Sequence, residues 1–158
     1  MTIIGLRRGV QMAFKKILVP TEGSEFTKAA IREAVELAKV TGGSITALYV
    51  IDQTVFGNVP VDSSVNAIYD MMEKEGHNAT AFVRSLGEEN SIAVDELVIS
   101  GSPVKAIVEA SKDFEIIVMG TLGRTGFAKF MMGSVAEKVV RFAKCPVMVV
   151  KSSEAESK

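Results

Sequence analysis

A chain of 158 residues, 47% apolar and 23% charged, suits one globular domain and excludes an extended disordered polymer. A formal net charge of −1 removes the usual electrostatic case for a nucleic-acid binder, which needs a basic face. No apolar run approaches the roughly 20 residues that span a bilayer.

Residues 1–13 read as an N-terminal extension. Met1 to Met12 carries Arg7 and Arg8 but no apolar segment with a small-residue cleavage site follows, so it is a poor signal peptide. Lys16 to Pro20 (KILVP) is the first expected strand, continuously apolar as a strand buried on both faces should be. Pro20 closes it, and Ser24 is placed to cap a helix from about Glu25 to Thr41. Ile31, Ala34, Val35 and Ala38 recur at the helical period and should face the sheet; Gly42-Gly43 ends the helix. Ser44 to Ile51 is a second strand, and Asp52 to Asp62 a loop.

A long helix is expected from Ser63 to Glu89, with Ile68, Met71, Met72, Phe82, Val83 and Leu86 on its buried stripe. His77, the one histidine, lies on it without a second ligand type at metal spacing and reads as a solvated side chain. Ile92 to Ser100 is the third strand. Gly101-Ser102-Pro103 then combines turn glycine, capping serine and first-turn proline, opening a helix to about Asp113. Phe114 to Met119 is the fourth strand, Val135 to Ala143 the last helix, and Pro146 to Lys151 the fifth strand; residues 152–158 form a polar tail expected to fray. Strands alternating with helices imply an α/β fold with a parallel sheet. Cys145, the single cysteine, cannot form an internal disulfide, which fits a reducing, cytoplasmic setting.

The chemistry concentrates after the fourth strand. Gly120-Thr121-Leu122-Gly123 lets the chain turn tightly with bare backbone amides, and Gly133-Ser134 opens the last helix on the same side. Free amides and the positive end of a helix suit a phosphate chain. The mononucleotide motif G-x-x-x-x-G-K-[ST] is absent, and the dinucleotide fingerprint belongs after a first strand, where this chain has Pro20-Thr21-Glu22. What the chain does carry is G-x-x-G-x(9)-G-[ST].

With that spacing, KKILVPTEGSE at the front, ITALYVID, GSPVKAIVEAS and the run IIVMGTLGRTGFAKFMMGSVAEKVVRFAKCPVMVV, the chain resembles the ATP-binding universal stress proteins over about residues 14–151. The resemblance implies one open, doubly wound, five-stranded parallel sheet in the order 3-2-1-4-5. It places the ligand where the strand order reverses. It further implies that Pro20, Thr21 and Glu22 border the adenosine and that the Val50 backbone recognises adenine. Gly120, Thr121, Leu122, Gly123, Arg124, Thr125 and Gly126 would wrap ribose and phosphates, and Gly133, Ser134, Val135 and Ala136 would receive the terminal phosphates. Glu22 departs from the family's usual Asp by one methylene; a missed polar contact there costs on the order of 1 kcal/mol, about fivefold to tenfold in affinity.

Mg or Mn would arrive with the nucleotide. A steady hydrolase needs a group to orient water, and the carboxylates at hand are Glu22 and Glu137, the latter spaced to pair with Arg141. No catalytic residue is assigned. The expected role is a nucleotide-dependent regulatory switch in stress adaptation; a slow or partner-activated ATPase or transferase, and a nucleotide-free interaction module, are the alternatives. PVMVV at a sheet edge invites pairing with another chain, and the resemblance implies a homodimer through Pro146–Lys151, with an unidentified protein partner. Phe127, Phe130, Met131 and Met132 are expected to pack beneath the glycine loop.

Overall fold

Ile17, Leu18 and Val19 of β1 (Lys16–Pro20) have no exposed surface, the mark of a strand covered on both faces. In the computed structural model, which describes residues 14–121 and 132–152, β1 is the middle strand of a parallel sheet. The other elements are α1 (Glu25–Thr41), β2 (Ser44–Asp52), α2 (Ser63–Glu89), β3 (Val94–Gly101), α3 (Pro103–Ala110), β4 (Ile116–Gly120), α4 (Ser134–Phe142) and β5 (Val147–Val150). The strand order is β3-β2-β1-β4-β5, every pair parallel. This is the expected doubly wound α/β arrangement.

Alternate residues of each strand feed two cores. Ile17, Val19, Ile45, Ala47, Ile116 and Val118 pack against Ala30, Ile31, Ala34, Val35 and Ala38 of α1 and Val83 of α2. Leu18, Leu48, Ile117 and Met119 pack on the other face against Ile107 of α3 and Ala136 and Val139 of α4. Gly42 ends α1 in the left-handed region at φ 67°, which a glycine takes without a Cβ clash.

The buried stripe of α2 differs from the expected one. Val83 is buried, and Met72 and Leu86 are half-buried, but Ile68, Met71 and Phe82 are 45%, 55% and 39% exposed. The buried positions are instead Gly76, Ala79, Thr80, Val83 and Gly87. The reason is proximity: a Cβ on Gly76 would lie 2.7 Å from Tyr49 Cδ1, and one on Gly87 would lie 2.3 Å from Val94 Cγ2. The helix sits too close to β2 and β3 for large side chains, which are displaced to its flanks. Thr80 keeps its hydroxyl satisfied on this face by donating to Glu96 at 2.9 Å, and Arg84 pairs with the same carboxylate at 3.1 Å.

Smaller shifts have local causes. β3 starts at Val94 rather than Ile92, because the Ile92 amide bonds back to the Gly87 carbonyl at 2.8 Å in the preceding turn. α3 stops at Ala110 and tightens into a 3-10 turn over Ser111–Asp113, where the Ser111 hydroxyl caps the Val108 carbonyl at 2.6 Å. β4 begins at Ile116 instead of Phe114 and runs on to Gly120, and β5 covers Val147–Val150. Ser152, expected at the start of a frayed tail, is buried. No helix among the described residues is long and apolar enough to cross a membrane.

Gly76→Ala should destabilise the fold by about 1–3 kcal/mol in urea titration, because the added methyl meets the Tyr49 ring. Met71→Ala should change stability by less than about 0.5 kcal/mol. Equal costs would show that α2 does not pack on its small residues.

Candidate functional site

Strand β1 has neighbours on both sides: the chain continues from it toward β2 and β3, then returns to lay β4 against its other edge. The helices that follow β1 and β4, α1 and α4, pack on opposite faces of the sheet and leave a crevice at the strands' carboxyl ends. A cavity of about 400 Å³ lies there, within the usual range for small-molecule sites.

The floor and walls come from the ends of three strands. Pro20, Thr21 and Glu22 follow β1, Leu48, Val50 and Asp52 belong to β2, and Met119, Gly120 and Thr121 close β4. Pro103 and Ile107 of α3 face them, and Gly133, Ser134, Val135 and Ala136 complete the wall. Ten of the residues singled out from sequence thus meet around one cavity: Pro20, Thr21, Glu22, Val50, Gly120, Thr121, Gly133, Ser134, Val135 and Ala136. Leu122, Gly123, Arg124, Thr125 and Gly126 lie outside the described residues, as do Phe127, Phe130 and Met131.

Backbone bonding holds both sides of this cavity. The Thr121 amide donates to the Val150 carbonyl at 3.0 Å, and the Gly133 amide donates to the Thr121 carbonyl at 2.7 Å. The end of β4 and the start of α4 are thereby tied together, so the chain between them leaves and returns at one point. Gly133 is the N-cap of α4 and, having no side chain, makes no cap hydrogen bond. The first-turn amides of a helix have no partner within it, and the first-turn residues Ser134, Val135 and Ala136 line the cavity. On the β1 side the Thr21 hydroxyl accepts from the Gly23 amide at 3.1 Å and lies 3.3 Å from the Thr27 hydroxyl. Gly23, at φ 80°, turns the chain into α1.

Ser24 occupies the N-cap of α1 as expected, yet its hydroxyl does not cap the helix. It donates instead to the Glu22 carboxylate, which draws that longer side chain back toward its own loop. Ser102 likewise stands at the N-cap of α3 without a side-chain cap bond. Glu137 pairs with Arg141 at 2.9 Å on the exposed side of α4 and does not line the cavity.

Sequence reasoning passed over Leu48, Asp52, Pro103, Ile107 and Met119, and it gave Thr27 no role. Asp52 carried the clearest missed signal, because it stands two residues beyond Val50 and so on the same face of β2. A second cavity of about 460 Å³ shares Thr21, Glu22 and Thr27 but opens between α1 and α2. Its one cation among the described lining residues, Lys28, is paired with Glu25 and lies 5.2 Å over the Phe82 ring.

Residues 13–151 match the universal stress protein family. The chain belongs to it. Universal stress protein MJ0531 of Methanocaldococcus jannaschii is 36% identical over 153 residues, covering 96% of this chain and 89% of that protein. Among solved structures, protein MJ0577 of the same organism superposes with a TM-score of 0.78 at 28% identity, covering 88% of this chain and 96% of its own. A universal stress protein from Archaeoglobus fulgidus, solved in complex with dAMP, superposes with a TM-score of 0.64 at 19% identity, over 88% and 99% of the two chains. At that identity the likeness is one of fold.

The lone thiol of this universal stress protein lies away from the cavity, half-buried beside the α3 and α4 core. Burial raises the Cys145 pKa above its ordinary value, and a backbone hydrogen bond at Ile117 opposes that shift. A raised pKa means less thiolate at any pH below it, hence slower reaction. Alkylation by iodoacetamide at pH 8 should run at least about tenfold slower than that of a free small thiol, rising to the free rate in urea. Equal rates in the folded protein would contradict the packed position of Cys145.

Proposed function

We propose that this universal stress protein binds ATP in the crevice between β1 and β4 and acts as a nucleotide-dependent regulatory switch. The observation that carries the reading is the uncapped N-terminus of α4. Gly133, which offers no capping side chain, and Ser134, Val135 and Ala136 line a cavity at the reversal of strand order. An anion gains there from both the amides and the helix dipole. The apolar side chains of Leu48, Val50, Pro103, Ile107 and Met119 leave the rest of the cavity suited to a base and sugar. The likeness to an Archaeoglobus fulgidus family member solved with dAMP supports a nucleotide as the ligand class.

The Pro20-Thr21-Glu22 turn would border the sugar, with the Val50 backbone at the base and Ser134, Val135 and Ala136 at the phosphates. Gly120 and Thr121 would begin the phosphate wrap that Leu122, Gly123, Arg124, Thr125 and Gly126 continue in the family pattern. Mg or Mn would be carried in by the phosphates; among the described residues no group of three or more His, Cys, Asp or Glu side chains could hold a metal. Binding rather than turnover is the favoured activity. Glu137 is engaged by Arg141 outside the cavity, and Glu22 is held by Ser24, so neither stands as a ready base.

Calorimetric titration with Mg-ATP should give micromolar binding, tighter than AMP. Gly133→Val should abolish that heat while circular dichroism stays native, since Gly133 has φ −60°, open to any residue. Unchanged affinity in the variant would sink the site assignment. Labelled ATP should show no sustained multiple turnover by the pure protein.

A second part of the proposal concerns assembly in the cytoplasm. Among the described residues β5 is an edge strand with no partner on its far side, and Met148 on it is 37% exposed. Such an edge favours pairing with a second copy. Sedimentation should give a dimer for the native protein and a monomer for Met148→Glu. A native monomer at high micromolar concentration would remove the dimer.

A further inference from the structure

We propose that Asp52 reads the base of the bound nucleotide, accepting from an exocyclic amino group and favouring a 6-amino over a 6-oxo purine. The inference rests on the nucleotide reading above and assigns that cavity a specificity-determining residue. Among the described residues that line the cavity, Glu22 and Asp52 alone carry charge, and both are negative. Glu22 is drawn toward Ser24. Asp52 is held differently. Its Oδ1 accepts the Thr54 amide at 2.9 Å and the Thr54 hydroxyl at 2.5 Å, capping the 3-10 turn that follows β2. These bonds pin the carboxylate at the strand end.

Its position relative to the phosphate end follows from the sheet. The anionic part of a nucleotide belongs at the amides of α4, which follows β4. β1 lies between β4 and β2, so the β2 side is two strand spacings away, about 10 Å. A phosphate placed against Asp52 would meet a fixed negative charge; a group that reaches Asp52 must donate.

Leu48, Val50 and Asp52 are alternate residues of one face of β2, and Leu48 and Val50 pack in the cluster that holds Ile107. The apolar floor therefore leads directly to the carboxylate. Leu48, Val50, Pro103 and Ile107 line the cavity on the same side as this cluster, and a flat base lying against them brings its edge to Asp52. A carboxylate only accepts hydrogen bonds. An amino group satisfies it, whereas a carbonyl oxygen at the same place sets lone pairs against it.

The test compares ATP, inosine triphosphate and 2′-deoxyATP by calorimetry on the native protein and on Asp52→Asn. Asn keeps an oxygen for the Thr54 amide and hydroxyl and adds an N–H that suits a 6-oxo group, so the turn survives while the charge goes. The native protein should prefer ATP over inosine triphosphate by about tenfold or more, and the variant by less than about threefold. The ratio of ATP to 2′-deoxyATP should stay the same in both proteins. Equal native affinities for ATP and inosine triphosphate would overturn the inference and leave the nucleotide site standing. A variant that keeps the native preference would place base reading elsewhere, and a shift in the deoxy ratio alone would reassign Asp52 to the sugar; either result overturns it. Absence of binding by every nucleotide would overturn the site and this inference together.

Discussion

Parallel pairing of β1 with β2 on one edge and β4 on the other is the constraint on which the site depends. Because β1 is central, Ile17, Leu18 and Val19 are sealed on both faces, and the chain that leaves the strand must turn outward at Pro20. Because β4 lies on the opposite edge of β1, its helix α4 packs on one face of the sheet while α1 packs on the other. The separation of those two helices opens the crevice, and no single residue is needed to create it.

Within that frame the cavity has two unlike ends. The α4 side offers backbone amides and a helix N-terminus with no capping side chain, which favours negative charge. The β1 and β2 side offers the carboxylates of Glu22 and Asp52, each fastened by a neighbouring hydroxyl from Ser24 or Thr54. In the proposed binding mode the anionic tail of a nucleotide would lie at α4 and its base toward Asp52. The hydrogen bonds from Thr121 to Val150 and from Gly133 to Thr121 hold the start of α4 to the sheet, so this end of the cavity is part of the fold.

Ser24 illustrates how a local rule gives way at such a place. A serine at an N-cap ordinarily accepts from a first-turn amide, a contact worth about 1 kcal/mol. Here the hydroxyl donates to Glu22 instead. The Glu22 carboxylate thus takes the hydroxyl two residues on, as Asp52 takes that of Thr54. The Ser24 hydroxyl donates to Glu22 and accepts no first-turn amide of α1.

Much of this was legible in the residues. Apolar runs, helical periods, Gly42, and the Gly101-Ser102-Pro103 turn placed every element to within two or three residues, and the G-x-x-G-x(9)-G-[ST] spacing pointed to the crevice, because these signals act between near neighbours in the chain. The buried face of α2 was not legible. Ile68, Met71 and Phe82 satisfy helical periodicity, but the closeness of Gly76 to Tyr49 and Gly87 to Val94 decides which face turns inward. Asp52 escaped for the same reason: its place in the cavity depends on Pro103 and Ile107, more than fifty residues away in sequence, coming to line the same space. Local pattern determined the strands and the helices. Packing distance between elements, which periodicity does not encode, decided what each face could hold.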